Sequence, residues 1–191
     1  MLDWLADSLG EKARDPIEVA SLPVILEDMK RQGTRYGSFL GYFEAKGLIY
    51  TRGIRSFQKG GVSVELVPVD AQEHVAVFVI SSGGRKIIYA PCDVKPFPES
   101  EKFWGADVLI IGNTIVGDVL KNGFVLQEDN PLRKELFTLE EIQGIRKRYG
   151  IGEVIVTHLE EDWGKSYDDY KRLEGELDSI RFAYDGLTLP L

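Results

Sequence analysis

The chain has 191 residues, 43% hydrophobic and 28% charged, with a net charge of −8. That length suits one domain that buries its own core, and the acidic balance disfavours a broad phosphate-binding face, which needs clustered Lys and Arg. A single cysteine, Cys92, excludes an internal disulfide and fits a reducing compartment. Asp3 and Asp7 stand where a secretory signal needs a positive start and an apolar core. No apolar run approaches the ~20 residues of a membrane span. A cytoplasmic protein without membrane association is expected.

The elements follow in chain order. Apolar residues at Leu2, Trp4, Leu5 and Leu9 predict a helix to about Ala13, and Asp15-Pro16 breaks it. Ile17 to Ala20 reads as a strand, and Pro23 opens a helix to about Gln32. The middle is β-rich: Leu48 to Thr51, Val62 to Val67 after the Gly60-Gly61 turn, then Val75 to Ser81 and Lys86 to Ala90 joined as a hairpin through Gly83-Gly84. Beyond Val94 strand and helix alternate. Ala106 to Ile111 is a strand buried on both faces. Thr138 to Glu141 is a capping box opening a helix to about Tyr149, closed by Gly150. Glu153 to Thr157 is a buried strand, Tyr167 to Leu177 a helix, and Arg181 to Tyr184 and Leu187 to Leu189 are short strands. This is an α/β pattern with helices packed on a sheet.

The chain has only two histidines. His74 precedes a predicted strand, His158 ends one, and Asp93 follows another. Strand ends let side chains converge on one rim of a sheet, and imidazole with carboxylate suits Zn²⁺, Mn²⁺ or Fe²⁺. The structural alternatives are a hydrogen-bonded surface histidine and an aspartate that caps a turn.

Four segments taken in order resemble metallo-β-lactamase-fold hydrolases, in particular the phosphodiesterases and transfer-RNA-processing nucleases. They are His74 with Val75 to Ile80 and the Gly83-Gly84 hairpin; Lys86 to Asp93; Val154 to Leu159; and Phe182 to Leu187. The resemblance covers roughly residues 17 to 191. It implies an α/β, metallo-β-lactamase-like αββα sandwich as one domain, 1–191, corresponding to about the C-terminal two-thirds of such a hydrolase. It further implies that His74 completes the ligands of one metal, that His158 binds a second, and that Asp93 bridges both as the catalytic carboxylate. Two such cations, ~3.5–4 Å apart, lower the pKa of a shared water and generate hydroxide near neutral pH. The implied cofactor is a divalent metal, Zn or Mn, and the implied substrate a small molecule or phosphodiester.

The family's His-x-His-x-Asp-His signature is absent, and the chain begins just downstream of where it would fall. The metal site is therefore expected to be incomplete and to bind weakly, since zinc sites normally have three or four protein ligands. Three explanations stay open: a truncated product, a subunit that borrows ligands, or a non-catalytic subunit or binding module on the same fold. An incomplete first sheet would expose apolar surface and an unpaired edge, so a homo-oligomer is expected. Asn113 and Asp185 are candidate substrate contacts, Asp185 having an Asp-Gly turn as its alternative. Cys92 is a metal ligand, a reactive thiol or a small buried residue. Trp163 to Tyr167 is an aromatic and cationic substrate lip or a loop with a helix cap at Ser166. Arg146-Lys147-Arg148 is a basic patch or a solvated helix end.

Overall fold

The computed structural model describes residues 15–35, 37–112 and 114–189. The expected first helix and Asn113 lie outside them.

The strands in chain order are β1 (Ile17–Ser21), β2 (Gly33–Thr34), β3 (Gly37–Ser38), β4 (Ile49–Gly53), β5 (Ser56–Lys59), β6 (Val62–Pro68), β7 (Ala76–Ser82), β8 (Arg85–Ala90), β9 (Val108–Ile111), β10 (Thr114–Ile115), β11 (Phe137–Thr138), β12 (Glu153–Val156) and β13 (Ile180–Phe182). The helices are α1 (Pro23–Arg31), α2 (Phe39–Ala45), α3 (Leu132–Glu135), α4 (Leu139–Tyr149) and α5 (Tyr167–Glu176).

A seven-stranded sheet in the order β13-β12-β9-β8-β7-β6-β5 forms the centre. Its β5 to β8 half is an antiparallel meander. At β8 the direction of travel changes, and β8, β9, β12 and β13 run parallel. The β7–β8 turn works because Gly83 and Gly84 both take positive φ, 57° and 79°, as a two-residue hairpin loop requires. Parallel neighbours need crossovers; α4 lies between β9 and β12 in the chain, and α5 between β12 and β13.

The large sheet is covered on both faces. Val79, Ile88, Leu109, Val154 and Ile180 pack with Ile142 and Tyr149 of α4 and Tyr170 of α5 in the main core. On the opposite face Val64, Leu66 and Ala76 pack with Leu22 and, from α1, Ile25. There β1 and β4 pair in parallel as a second, two-stranded sheet, and α1 and α2 pack against it. Alternate side chains of β7 serve the two cores, Val77 and Val79 one and Phe78 and Ile80 the other. The expected αββα plan is present.

Helix ends follow their caps. Thr138 and Glu141 close a reciprocal capping box on α4, and Gly150 ends it in the left-handed region at φ 60°. Ser166 and Asp169 do the same at the start of α5. The expected strand over Leu187 to Leu189 is not formed. Tyr184 to Leu187 is a turn instead, closed by Leu187 N–H donating to the Tyr184 carbonyl at 3.0 Å.

Candidate functional site at the sheet rim

Parallel strands release their chains at one common edge, where open α/β sheets collect functional side chains. Cys92 and Asp93 follow β8, Gly112 follows β9, His158 follows β12 and Tyr184 follows β13. His74 precedes β7, which runs antiparallel to β8, so it enters at the same edge.

The rim backbone is fixed by ladder bonds that run one residue beyond each strand. Gly112 N–H donates to the Ala90 carbonyl at 3.2 Å, Thr157 N–H to Ile111 at 2.8 Å, and Ala183 N–H to Val156 at 2.8 Å. Asp93 and His158 then turn into the left-handed region, at φ 61° and 52°. Non-glycine residues rarely adopt it, and its appearance at the ends of β8 and β12, either side of β9, marks a locally strained edge.

His74 is exposed, and its Nδ1–H donates to Asp28 Oδ2 of α1 at 2.5 Å. A carboxylate only accepts, so the lone pair of this imidazole lies on Nε2. That is the tautomer of a metal-ligating histidine oriented by a carboxylate. Asp28 lies 46 residues earlier, and local sequence pattern gives no signal for the pair.

His158 is engaged on both nitrogens. Cys92 Sγ lies 2.6 Å from Nδ1, and Glu160 Oε1 lies 2.9 Å from Nε2. Burial pushes the Cys92 thiol above its ordinary pKa, and the carboxylates of Asp93 and Glu160 push it further the same way. The Glu160 carboxylate only accepts, so Nε2 carries a hydrogen; in the neutral ring Nδ1 is then the acceptor facing the thiol. Gly112 passes beneath this pair: a methyl group there would meet His158 Cβ at 3.4 Å and Cys92 Sγ at 3.7 Å. Cys92 is therefore partly buried and partnered by His158.

The other candidates resolve individually. Asp185 is exposed, in the Tyr184-Asp185-Gly186-Leu187 turn with Gly186 at φ 86°. Trp163 is 6% exposed and belongs to the core, not to a lip. Ser166 is a helix cap, and Tyr167 faces solvent. Two of the three basic residues ending α4 are paired, Arg146 with Asp178 and Arg148 with Glu99, each at 2.9 Å. A cavity of about 370 Å³ opens between β1, β4 and β5, remote from these residues in strand order, and none of them lines it.

No family model matches the chain, and no curated protein does. Solved structures do. Zn(2+)-bound PqqB from Methylobacterium extorquens aligns with 100% of this chain and 68% of its own, at 21% identity and a TM-score of 0.64. The short form of human tRNase Z aligns over 96% of this chain and 71% of its own, at 15% identity and a TM-score of 0.57. The metallo-β-lactamase fold protein YhfI from Bacillus subtilis aligns over 97% and 70%, at 14% identity and a TM-score of 0.54. The chain has the metallo-β-lactamase fold.

On this metallo-β-lactamase fold, the rim residues do not fit a bound divalent metal as they stand. His74 has the right tautomer, but the imidazole of His158 offers no free nitrogen. Among the described residues, no group of three or more His, Cys, Asp or Glu is arranged to hold a metal ion. The described helices also include none long and apolar enough to cross a membrane.

Proposed function

We propose that this chain is a metal-dependent hydrolase of the phosphodiesterase kind whose own side chains make only part of a dinuclear site. The observation that carries the reading is the common rim: both histidines and Asp93 stand at one edge of a sheet in the metallo-β-lactamase fold. The Asp28 bond supports a ligand role for His74, because it fixes the tautomer such a ligand needs. The left-handed backbone at Asp93 and His158 supports it too, since strain of this kind persists where side-chain placement matters.

In this reading His74, Asp93 and His158 are the metal residues, and Asp93 is the shared carboxylate. Asn113 and Asp185 contact the substrate, and a second copy of the chain in a homo-oligomer completes the site. His158 must first release Cys92 or Glu160. A metal held there would supply Lewis-acid and hydroxide chemistry, and Zn²⁺ is the ion bound in the PqqB structure. The test is metal content and hydrolysis of bis(p-nitrophenyl) phosphate with added Zn²⁺ or Mn²⁺, for wild type, Asp93→Asn and His158→Ala. Weak metal uptake and slow hydrolysis, both lost in Asp93→Asn, are expected. Wild type that takes up no metal and turns over nothing at any metal concentration overturns the reading.

The engaged imidazole of His158 favours a second reading, a non-catalytic binding module on the same fold. Metal-independent binding of an anionic ligand without turnover would select it.

A further inference from the structure

The face of β1 and β4 turned away from the helices is polar. The two strands pair in parallel, with Glu18 beside Tyr50 and Ala20 beside Arg52, and side chains alternate along each strand. Thr51, between Tyr50 and Arg52, donates its hydroxyl to Glu44 of α2, so Glu18, Ala20, Tyr50 and Arg52 point away from the helices. Three of these, Glu18, Ala20 and Arg52, line the cavity of about 370 Å³ whose remaining wall includes Phe57 and Lys59 of β5. Phe57 pairs with Val64 and Lys59 with Val62, on the side of the large sheet that faces the second core. Sheets packed face to face normally line the layer between them with apolar side chains. Here charged groups surround open space instead.

These groups are unevenly satisfied. Glu18 accepts from Arg52 Nε and from the Tyr50 hydroxyl, the latter at 3.0 Å. The two bonds, Arg52 first, hold its carboxyl below the ordinary glutamate pKa, so the one anion of the cavity is ionised and already paired. The cations are not used up. Among the described residues, neither the two Nη groups of Arg52 nor the ammonium of Lys59 has a protein partner. The lining thus carries two cations against one carboxylate, in a chain of net charge −8. The half-buried ring of Phe57 and the methyl of Ala20 add an apolar floor.

We propose that this cavity binds a small organic anion, with its carboxylate or phosphate group between Arg52 and Lys59 and its apolar body on Phe57 and Ala20. A guanidinium fork and an ammonium together suit such a head group. The volume lies at the small end of ligand pockets, roughly 300–1,000 Å³, which matches a single ring carrying one charged group. The contributing residues stand on three strands of two sheets, so ladder pairing, not a loop, sets their spacing. None of the rim residues lines the cavity, and the binding needs no metal.

The test uses the full chain without added metal and four probes: phenyl phosphate, phenylacetate, inorganic phosphate and benzyl alcohol. Binding is read from backbone amide shifts of the isotope-labelled protein. The two aromatic anions are expected to move the amides of Ala20, Arg52, Phe57 and Lys59 saturably, with millimolar Kd values for ligands of this size. Inorganic phosphate lacks the apolar body and benzyl alcohol lacks the charge, and each is expected to bind about tenfold more weakly at these amides. The tighter of the two aromatic anions identifies the head group, and either order supports the site. Lys59→Gln removes a side chain without a protein partner, so the fold is expected to survive while both anions weaken about tenfold. Lys59→Arg, which keeps the charge, is expected to retain their binding. No saturable shift at these four amides, equal binding of either control probe, or anion affinity unchanged in Lys59→Gln overturns the proposal.

Discussion

The sulfur of Cys92 sits 2.6 Å from Nδ1 of His158, a contact between residues 66 positions apart. It decides how the rim behaves in isolation, because the same imidazole faces Glu160 on its other side. Both nitrogens of that side chain are already satisfied by protein.

The first expectation concerns this thiol. Burial, then Asp93, then Glu160 hold its pKa above the ordinary thiol value, so the reactive thiolate is scarce at neutral pH. Alkylation by iodoacetamide should be slower than for a free cysteine at pH 7 and should rise with a midpoint on the alkaline side. Asp93→Asn should move that midpoint down. A midpoint at or below that of free cysteine would contradict this upward shift.

The second concerns backbone strain. A left-handed conformation costs a non-glycine residue roughly 1–2 kcal/mol, and His158 has φ 52°. His158→Gly and His158→Ala both lose the Cys92 and Glu160 contacts, but only glycine relieves the strain. Urea unfolding should find His158→Gly more stable than His158→Ala by about 1 kcal/mol. Equal stabilities would mean that the conformation is not strained.

The third contrasts two glycines. A methyl group on Gly152 would lie 2.7 Å from the Asp107 carbonyl oxygen, which accepts the Glu153 N–H that opens the β9–β12 ladder. Gly152→Ala should therefore destabilise by about 1–3 kcal/mol, as overpacking against backbone does. Gly175, inside α5, has open space around its missing Cβ, and Gly175→Ala should stabilise by about 0.5–1 kcal/mol. Chemical denaturation of both variants reads the contrast directly.

The fourth is a pH dependence. Asp107 accepts Lys86 N–H at 2.7 Å and Arg85 Nη1 at 2.8 Å. Asp169 accepts Ser166 N–H at 2.9 Å and its hydroxyl at 2.7 Å. Hydrogen bonds to the ionised carboxyl, led by the backbone N–H in each case, hold both below the usual aspartate pKa. The native state then binds fewer protons than the unfolded chain, so this stability is fully present above about pH 4 and is lost as pH falls through the lowered values. Thermal unfolding of Asp107→Asn and Asp169→Asn should fall below wild type near neutrality, and the gap should close in acid. A gap independent of pH would assign the loss to packing.

Much of this molecule was written in local pattern, and the remainder depends on pairings that local pattern does not encode. The capping boxes at Thr138 and Ser166 and the Gly83-Gly84 hairpin announce themselves, because the residues that make them are within three positions of one another. Strand β5 does not, since Ser56–Lys59 is a polar edge strand with one half-buried apolar side chain, Phe57. Helix α2 was missed for a related reason: only Leu40 of its seven residues is buried, while Phe39 and Tyr42 face solvent, so no apolar stripe forms. At the rim, the strand-end positions of His74, Asp93 and His158 were legible. Their partners Asp28 and Cys92 were not, because those contacts come from sheet and helix packing across distant segments.

The change of direction at β8 divides the large sheet by how far apart its partners lie in the chain. The meander joins strands through short turns, whereas the β9–β12 ladder joins Val108 to Glu153 and the β12–β13 ladder joins Val154 to Ile180. Closing long segments carries an entropic penalty before any pairing rewards it. The hairpins should thus assemble early and the parallel half late, so that amide protons of β6 and β7 outlast those of β12 and β13 in exchange. Asp93 and His158 stand on opposite sides of that seam. Mild heating would part them while the β5–β8 ribbon is still intact, and the proposed site would come apart before the chain lost most of its structure.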